Sequence, residues 1–334
     1  MEKLSFSALL RFVLLKLARL GLLLAAVSAA AFALVSYSPI DPVQAYIGAD
    51  VMRVGAEQRA AIAAYWGLDE PPLARFFRWA SALAGGDMGT SLIYRQPVAD
   101  VIGERFWGSL LLMAAAWLLS GVIGFTAGIV AAMNRGRLVD RIVRWYCCTL
   151  ASTPSFWLAM LFLMVFGVWL GWFPVGLAVP AGALAAEVDW LDRLRHLALP
   201  ALTLSAVGIA PVALHTREKL LDVLDSDYIL FARSRGESGI RLVRRHGLKA
   251  ALLPALTLQF AGFSELFGGA VLAEQVFSYP GLGRAAVEAG VRGDVPLLMG
   301  IVLFSALFVF TGNLLADIMT RLIDPRVRER GMPK

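Results

Sequence analysis

Residues Trp107–Met133 read WGSLLLMAAAWLLSGVIGFTAGIVAAM, without one Asp, Glu, Lys, Arg or His. A bilayer's hydrocarbon core is about 30 Å thick and an α-helix rises about 1.5 Å per residue, so roughly 20 apolar residues span it. Five further stretches meet the same test: Arg19–Tyr37, Trp145–Leu170, Leu197–His215, Ala250–Val276 and Val295–Met319. Leu197–His215 is the weakest because Pro200 and Pro211 interrupt it, although bilayer helices tolerate proline when neighbours re-satisfy the freed carbonyls. Composition points the same way. Hydrophobic residues make up 58% of the 334-residue chain and charged residues 17%, against about 25% charged in an average soluble domain. Too little polar surface remains to cover a water-soluble globule, and disordered, collagen-like and disulfide-scaffold classes fail on the same figures. The expected fold is an all-α polytopic membrane protein with six transmembrane helices in a single domain, 1–334.

The intervening segments carry a charge asymmetry. The N-terminus, Asn134–Arg144, Thr216–Lys249 and the tail from Thr320 hold 21 of the 31 Lys and Arg. Ser38–Phe106, Gly171–His196 and Phe277–Asp294 hold the other 10, against 13 acids. Cationic loops stay cytoplasmic, which predicts both termini inside. The net charge of +6 is thus a topology signal and implies no nucleic-acid partner. Arg19–Tyr37 could instead be a secretory signal, with Ala31-Phe32-Ala33 resembling a cleavage site, which would leave five spans. Residues 38–106 read as an extracytoplasmic cap with helical pieces near Ala56–Tyr65 and Leu73–Leu83, 107–319 as the permeating core, and 216–249 as a cytoplasmic loop.

Motifs for chemistry are missing. There is no phosphate-binding G-x-x-x-x-G-K-[ST] loop and no G-x-S-x-G elbow, and His196, His215 and His246 stand too far apart for a zinc pair. The adjacent Cys147 and Cys148 can hardly bridge each other and read as small packing residues. No catalytic residue, metal or cofactor is implied, and the chain reads as no enzyme. Within Ala250–Val276, the residues Ala255, Gln259, Gly262, Glu265, Gly269 and Ala273 recur at helical spacing and would share one small, polar face. That face suits close helix packing, and Gln259, Gly262, Glu265 and Gly269 equally suit the lining of a translocation path. Glu265 is the mid-membrane carboxyl, whereas Glu274 lies near the outer end and could reach the interface. In the second span, Trp107–Met133, Gly124-x-x-x-Gly128 reads as a packing motif.

The least ordinary segment is Leu224–Pro254. Ser226 or Asp227 can cap a short helix, Arg233 and Arg235 suit its last turn, Gly236 suits a left-handed C-terminal position, and Ser238 can cap a second helix leading into the fifth span. Such a short, partly apolar element (Tyr228, Ile229, Phe231) is either an interfacial helix near anionic lipid or a docking element for a cytoplasmic motor. The pattern Asp227-Tyr228-x-x-x-Ala232-Arg233-x-x-Gly236, followed by Arg244 to Pro254, resembles the "EAA" loop of ATP-binding-cassette importer permeases in the dipeptide/oligopeptide/nickel branch. Leu230-Phe231-Ala232 stands where the general loop has Glu-Ala-Ala. Gly67–Pro71, Gly86–Ser91, Pro97–Glu104, Thr153–Leu158, Gly171–Pro174, Glu274–Gly283 and Asp324–Arg326 resemble other parts of the family, so the likeness covers nearly the whole chain. It implies a bacterial inner-membrane permease subunit that works with a second homologous permease, two cytoplasmic ATPase subunits and an extracytoplasmic substrate-binding protein. It also implies ATPase coupling through Asp227, Tyr228, Ala232, Arg233 and Gly236. The class-level alternative is a stand-alone ion-coupled transporter with Glu265 as its proton site.

Overall fold

The computed structural model describes residues 6–37, 54–65, 69–180, 182–183 and 188–323, with the single positions 43 and 47. The Asp324–Arg326 match and part of the Gly67–Pro71 match lie outside them. Apart from one bridge between Thr90 and Pro97, the described residues are helical or irregular. In chain order the helices are α1 (Phe6–Ser36), α2 (Ala56–Tyr65), α3 (Pro72–Ala84), α4 (Val98–Met133), α5 (Leu138–Ser152) and α6 (Ser155–Phe162), which runs on as a π-helical segment, Leu163–Trp169. Next come α7 (Trp190–Leu224), the short α8 (Asp227–Ser234) and α9 (Gly239–Leu242), joined through a π-helical segment, Val243–Gly247, to α10 (Leu248–Ala261). The last three are α11 (Phe263–Val276), α12 (Leu282–Val291) and α13 (Val295–Ile323).

Leu14–Leu34 within α1, all of α4, all of α7 and Val295–Thr320 within α13 are each long and apolar enough to cross a membrane. Two helix pairs meet that test jointly: α5 with α6 and its π extension, bent by 111°, and Gly239–Ala261 with α11, bent by 55°. Counting each pair as one span gives six. The expected span Trp145–Leu170 is therefore not one straight helix. Thr153 precedes Pro154, whose ring forces it into extended backbone (φ −92°, ψ 128°), and the helix stops there. By contrast α7 runs unbroken through Pro200 and Pro211 and is the most buried of the four unbroken spans.

The described residues up to Trp107, with Arg284–Phe310, form one compact unit. In it Val98 and Val101 of α4 are fully buried, and a Cβ on Gly300 of α13 would sit 2.5 Å from Val98. The Phe106 ring meets Phe304 and Phe308 edge-on. Asp294, fully buried, starts α13: one carboxylate oxygen accepts from Leu297 N–H at 3.1 Å, the other from Ser91 Oγ–H at 2.6 Å and Ile93 N–H at 3.0 Å. The loop before α4 is thereby tied to the start of the last helix.

Gly108–Gly283 and the described residues from Thr311 form the second unit, organised around α7. Helices α5, α6, α10 and α11 all pack on α7. Lipid-exposed helices gain little from burying apolar surface, so close approach through small residues does the work. A Cβ at Gly124 would lie 2.9 Å from Ile209 O, and one at Gly128 2.5 Å from Ala213 O. Gly208 of α7 faces Ser120 of α4 in the same seam. The expected packing role of Gly124 and Gly128 is what the structure shows. Cys147 packs with Leu150, Leu158, Ala206, Ala210 and Ala213, and both cysteines are free thiols.

Gly128→Val should overpack this seam and cost about 1–3 kcal/mol. Gly103 lies in α4 with nothing within 4 Å of an added Cβ, so Gly103→Ala should stabilise by a few tenths to about 1 kcal/mol through helix propensity. Thermal melts of the purified chain in detergent check both signs.

Candidate functional site

Between α7 and α10 the chain folds into a braced loop. Helix α8 buries Ile229 and Ala232 against Leu242, with Val223 and Leu224 packed beside them. Its other side exposes Tyr228, Leu230 and Phe231, the last at 65%. Arg235 lies over the Phe231 ring and Tyr228 is in ring contact with His246. The predicted C-terminus is present in full: Gly236 is left-handed (φ +88°), its N–H bonds to Arg233 O at 2.9 Å, and Glu237 N–H bonds to Ala232 O at 3.2 Å. This paired pattern is the Schellman motif, and a side chain at Gly236 would strain it.

The start of α8 differs from expectation. Ser226 occupies the cap position, but its hydroxyl donates to Val223 O at 2.5 Å instead of receiving helix N–H groups. Ser238 likewise precedes α9 without a side-chain cap bond. The brace comes from elsewhere. Glu237 accepts from His246 Nε2 at 2.9 Å and from Arg245 at 2.9 Å, closing the turn onto the π-helical segment. Gly247 of that segment lies so close to α7 that a Cβ there would meet Leu220 at 2.5 Å. The loop is therefore continuous with two spans. Arg241, Arg244 and Arg245 line an open depression next to Ile240 and keep this face electropositive.

The five coupling candidates thus divide. Ala232 packs inward, Gly236 supplies the turn, Asp227 sits in the first turn of α8 where the helix dipole favours an anion, and Tyr228 and Arg233 face outward. Sequence reasoning missed the clamp that fixes the entrance to this region. Asp140 of α5, fully buried, takes both Arg217 Nε (2.6 Å) and Nη2 (2.9 Å) of α7 and also Gly136 N–H at 2.9 Å. A lone acid among Arg135, Arg137, Arg141 and Arg144 was its only signal in the sequence.

The polar stripe of the fifth span does not form one face. Its helix breaks at Gly262 (φ −75°, ψ 5°), so the residues on either side point along axes 55° apart. Gln259 is buried, donating to Trp117 O at 2.7 Å and Ser120 Oγ at 2.9 Å, while Trp117 Nε1 donates to Gln259 O. Gly269 packs on Leu204 of α7. Glu265 lies exposed in the first turn of α11. Of the four path candidates, then, two pack against neighbours, one bends the span and one faces outward. Glu274 does not reach an interface: it is 1% exposed and accepts from Ser109 Oγ at 2.5 Å, and Ser109 in turn accepts from Leu282 N–H. Gly281 fits only as glycine, since a Cβ would land 2.2 Å from the Glu274 carboxyl carbon. Burial, with the Glu274 charge nearby, pushes the Tyr279 phenol up to about 12. The Glu274–Gly283 turn is accordingly a structural lock.

Hydrogen bonding from His246, helped by Arg245, holds the Glu237 carboxyl below the usual carboxylate range. An acid with a depressed folded pKa stabilises the fold above its unfolded value, near 4.3, and loses that contribution as pH falls through the folded value. Protection factors for residues 235–247 should therefore drop as pH falls from about 4.5, measured by hydrogen exchange. In Glu237→Gln that acid-dependent step should be absent.

Comparison with known proteins follows the same outline. A family model described as the inner membrane component of binding-protein-dependent transport systems matches residues 124–329. The oligopeptide transport system permease AppB of Bacillus subtilis is 33% identical over 89% of this chain and 92% of its own. The di/tripeptide permease DppB of Pseudomonas aeruginosa is 36% identical (93% and 98%), and the glutathione permease GsiC of Escherichia coli is 35% identical (96% and 99%). Among solved structures, an inward-facing MetNI methionine ABC transporter chain superposes with TM-score 0.53 over 67% of this chain and 96% of its own, at 18% identity, which speaks to the fold alone.

Proposed function

The chain belongs to the inner-membrane components of binding-protein-dependent transport systems, and we propose that it forms half of a path for peptides or a related small solute. It is a permease subunit of an ATP-driven importer, a membrane transport component without catalytic chemistry of its own. The named relatives carry oligopeptides, di- and tripeptides or glutathione, which supports a peptide-like cargo here. A second homologous permease would complete the path, a soluble binding protein would deliver cargo from outside, and two ATPase subunits would dock on the cytoplasmic face. The charge asymmetry of the loops supports cytoplasmic termini. In this reading residues 1–334 act as one permease, with 38–106 as its outer cap.

The observation that carries the coupling proposal is the geometry of α8. A buried edge (Ile229, Ala232) fixes the helix to the spans, and an exposed edge (Tyr228, Leu230, Phe231) presents rings and a leucine without cover. An apolar helix edge rimmed by Arg233 and Arg235 fits a groove with acidic borders. Motion of the ATPases would then pass through Leu242, Val243 and Leu220 into α7 and α10 as a rigid-body shift. The relatives are permease subunits of transport systems, which leaves the self-sufficient carrier driven by Glu265 without support.

Tyr228→Ala with Phe231→Ala should leave the chain's melting temperature nearly unchanged, yet reduce ATPase co-purification and cargo-stimulated ATP hydrolysis by tenfold or more, on the order of 1.4 kcal/mol of docking energy. Gly236→Ala should weaken coupling by straining the turn, and Gly236→Asn should restore part of it. Uptake by the chain alone in vesicles with a proton gradient and no ATP would refute the reading.

A further inference from the structure

Helix α3 has no buried residue, although it is rich in large apolar side chains: its sequence is PLARFFRWASALA. At 3.6 residues per turn, Leu73, Phe76, Phe77, Ala80, Leu83 and Ala84 fall on one arc, while Arg75, Arg78 and Ala82 fall on the opposite one and Ser81 borders the apolar arc. Leu73 is 73% exposed and Phe77 66%, so among the described residues half of the apolar arc has nothing over it. The other half touches the first membrane span. Phe76 meets the Phe32 ring of α1 edge-on at 5.2 Å, and the Arg75 guanidinium lies 6.0 Å from the same ring. Phe32 is two residues short of the end of the apolar window Leu14–Leu34, about 3 Å along the helix. The contact therefore places α3 beside the end of that apolar window. At about 20 Å the helix is too short to cross a bilayer.

The polar arc points to the same surroundings. Arg78 pairs with Glu70, whereas no ion pair holds the Arg75 guanidinium among the described residues. Trp79 adds an amphipathic ring of the kind that collects at bilayer interfaces. We propose that α3 lies in the plane of the membrane where the first span ends, with Leu73 and Phe77 among the acyl chains and Arg75 bonded to a phospholipid phosphate. Part of the segment read from sequence as an extracytoplasmic cap is in this account a membrane-surface brace. The brace would hold the end of α1 and leave the rest of the cap free to meet a soluble partner.

The test places nitroxides on the full chain in vesicles of phosphatidylethanolamine and phosphatidylglycerol, through L73C, F77C, A74C and R78C in a C147A/C148A background. Labels at 73 and 77 should collide several-fold more with oxygen than with a water-soluble nickel chelate, and labels at 74 and 78 should show the reverse. Chelate-dominated collisions at all four positions would overturn the proposal. So would labels at 73 and 77 shielded from both reagents, because a protein would then cover the face. A photoreactive phenylalanine analogue at position 77, with both native cysteines kept, gives an independent reading. Phospholipid adducts are expected; adducts to protein, or none, count against the lipid surface. With Arg75→Gln the oxygen-to-chelate ratio at 77 should fall, and an unchanged ratio would remove the phosphate contact.

Discussion

The close approach of α4 to α7 is the contact on which the second unit depends. In lipid, separating two apolar helices exposes nothing to water, so their association draws on van der Waals contact and on polar bonds made across the seam. Gly124, Gly128 and Gly208 permit the first. Gln259, with donors and acceptors matched to Trp117 and Ser120, supplies the second and joins α10 to α4. The Asp140–Arg217 pair then ties α5 to α7. With the carboxylate fully buried, removing either partner would strand a charge, whereas the intact bidentate pair with Gly136 N–H leaves few lone pairs unmet. Polar residues in this unit therefore determine which helices meet, while apolar length determines which segments enter the membrane.

That division explains what could be read from the sequence. Span positions were legible because they depend on a run of side chains along one axis: Trp107–Met133 and Val295–Met319 both fall within long helices of the structure. The Gly236 turn was legible because a left-handed residue after a short helix is a local requirement. The bend at Gly262 was not. A glycine at helical spacing fits a smooth packing face as well as a break, so the spacing alone does not choose between them. Glu274 was misplaced for a similar reason. Its position near the outer end of the span suggested a carboxyl that could reach the interface, but its burial is decided by Ser109, 165 residues away in sequence.

The cytoplasmic loop shows how a short helix can be both rigid and available. Its capping hydroxyls are spent elsewhere or unused, so its order does not come from the helix start. It comes from Ile229 and Ala232 beneath, the Schellman turn at one end, and the Glu237 bonds to His246 and Arg245. These contacts leave the rings of Tyr228 and Phe231 outside the fold. A face held stiffly from below and uncovered above loses little conformational entropy when another protein closes over it.

Glu265 poses the complementary problem at membrane depth. Its segment is apolar enough to cross a bilayer with α9 and α10, yet the carboxyl faces out from the chain in the first turn of α11. An ionisable group directed at lipid is costly, so the surface around it belongs against protein or water. Nearby, Ser264 Oγ donates to Asn313 at 2.9 Å, and a Cβ at Gly312 would clash with the Phe263 ring, so α13 packs closely beside this polar strip and adds to it. A strip of Glu265, Ser264 and Asn313 within otherwise apolar helices suits the inner wall of a two-subunit path, where the proposed second permease and the cargo's water would supply what lipid cannot.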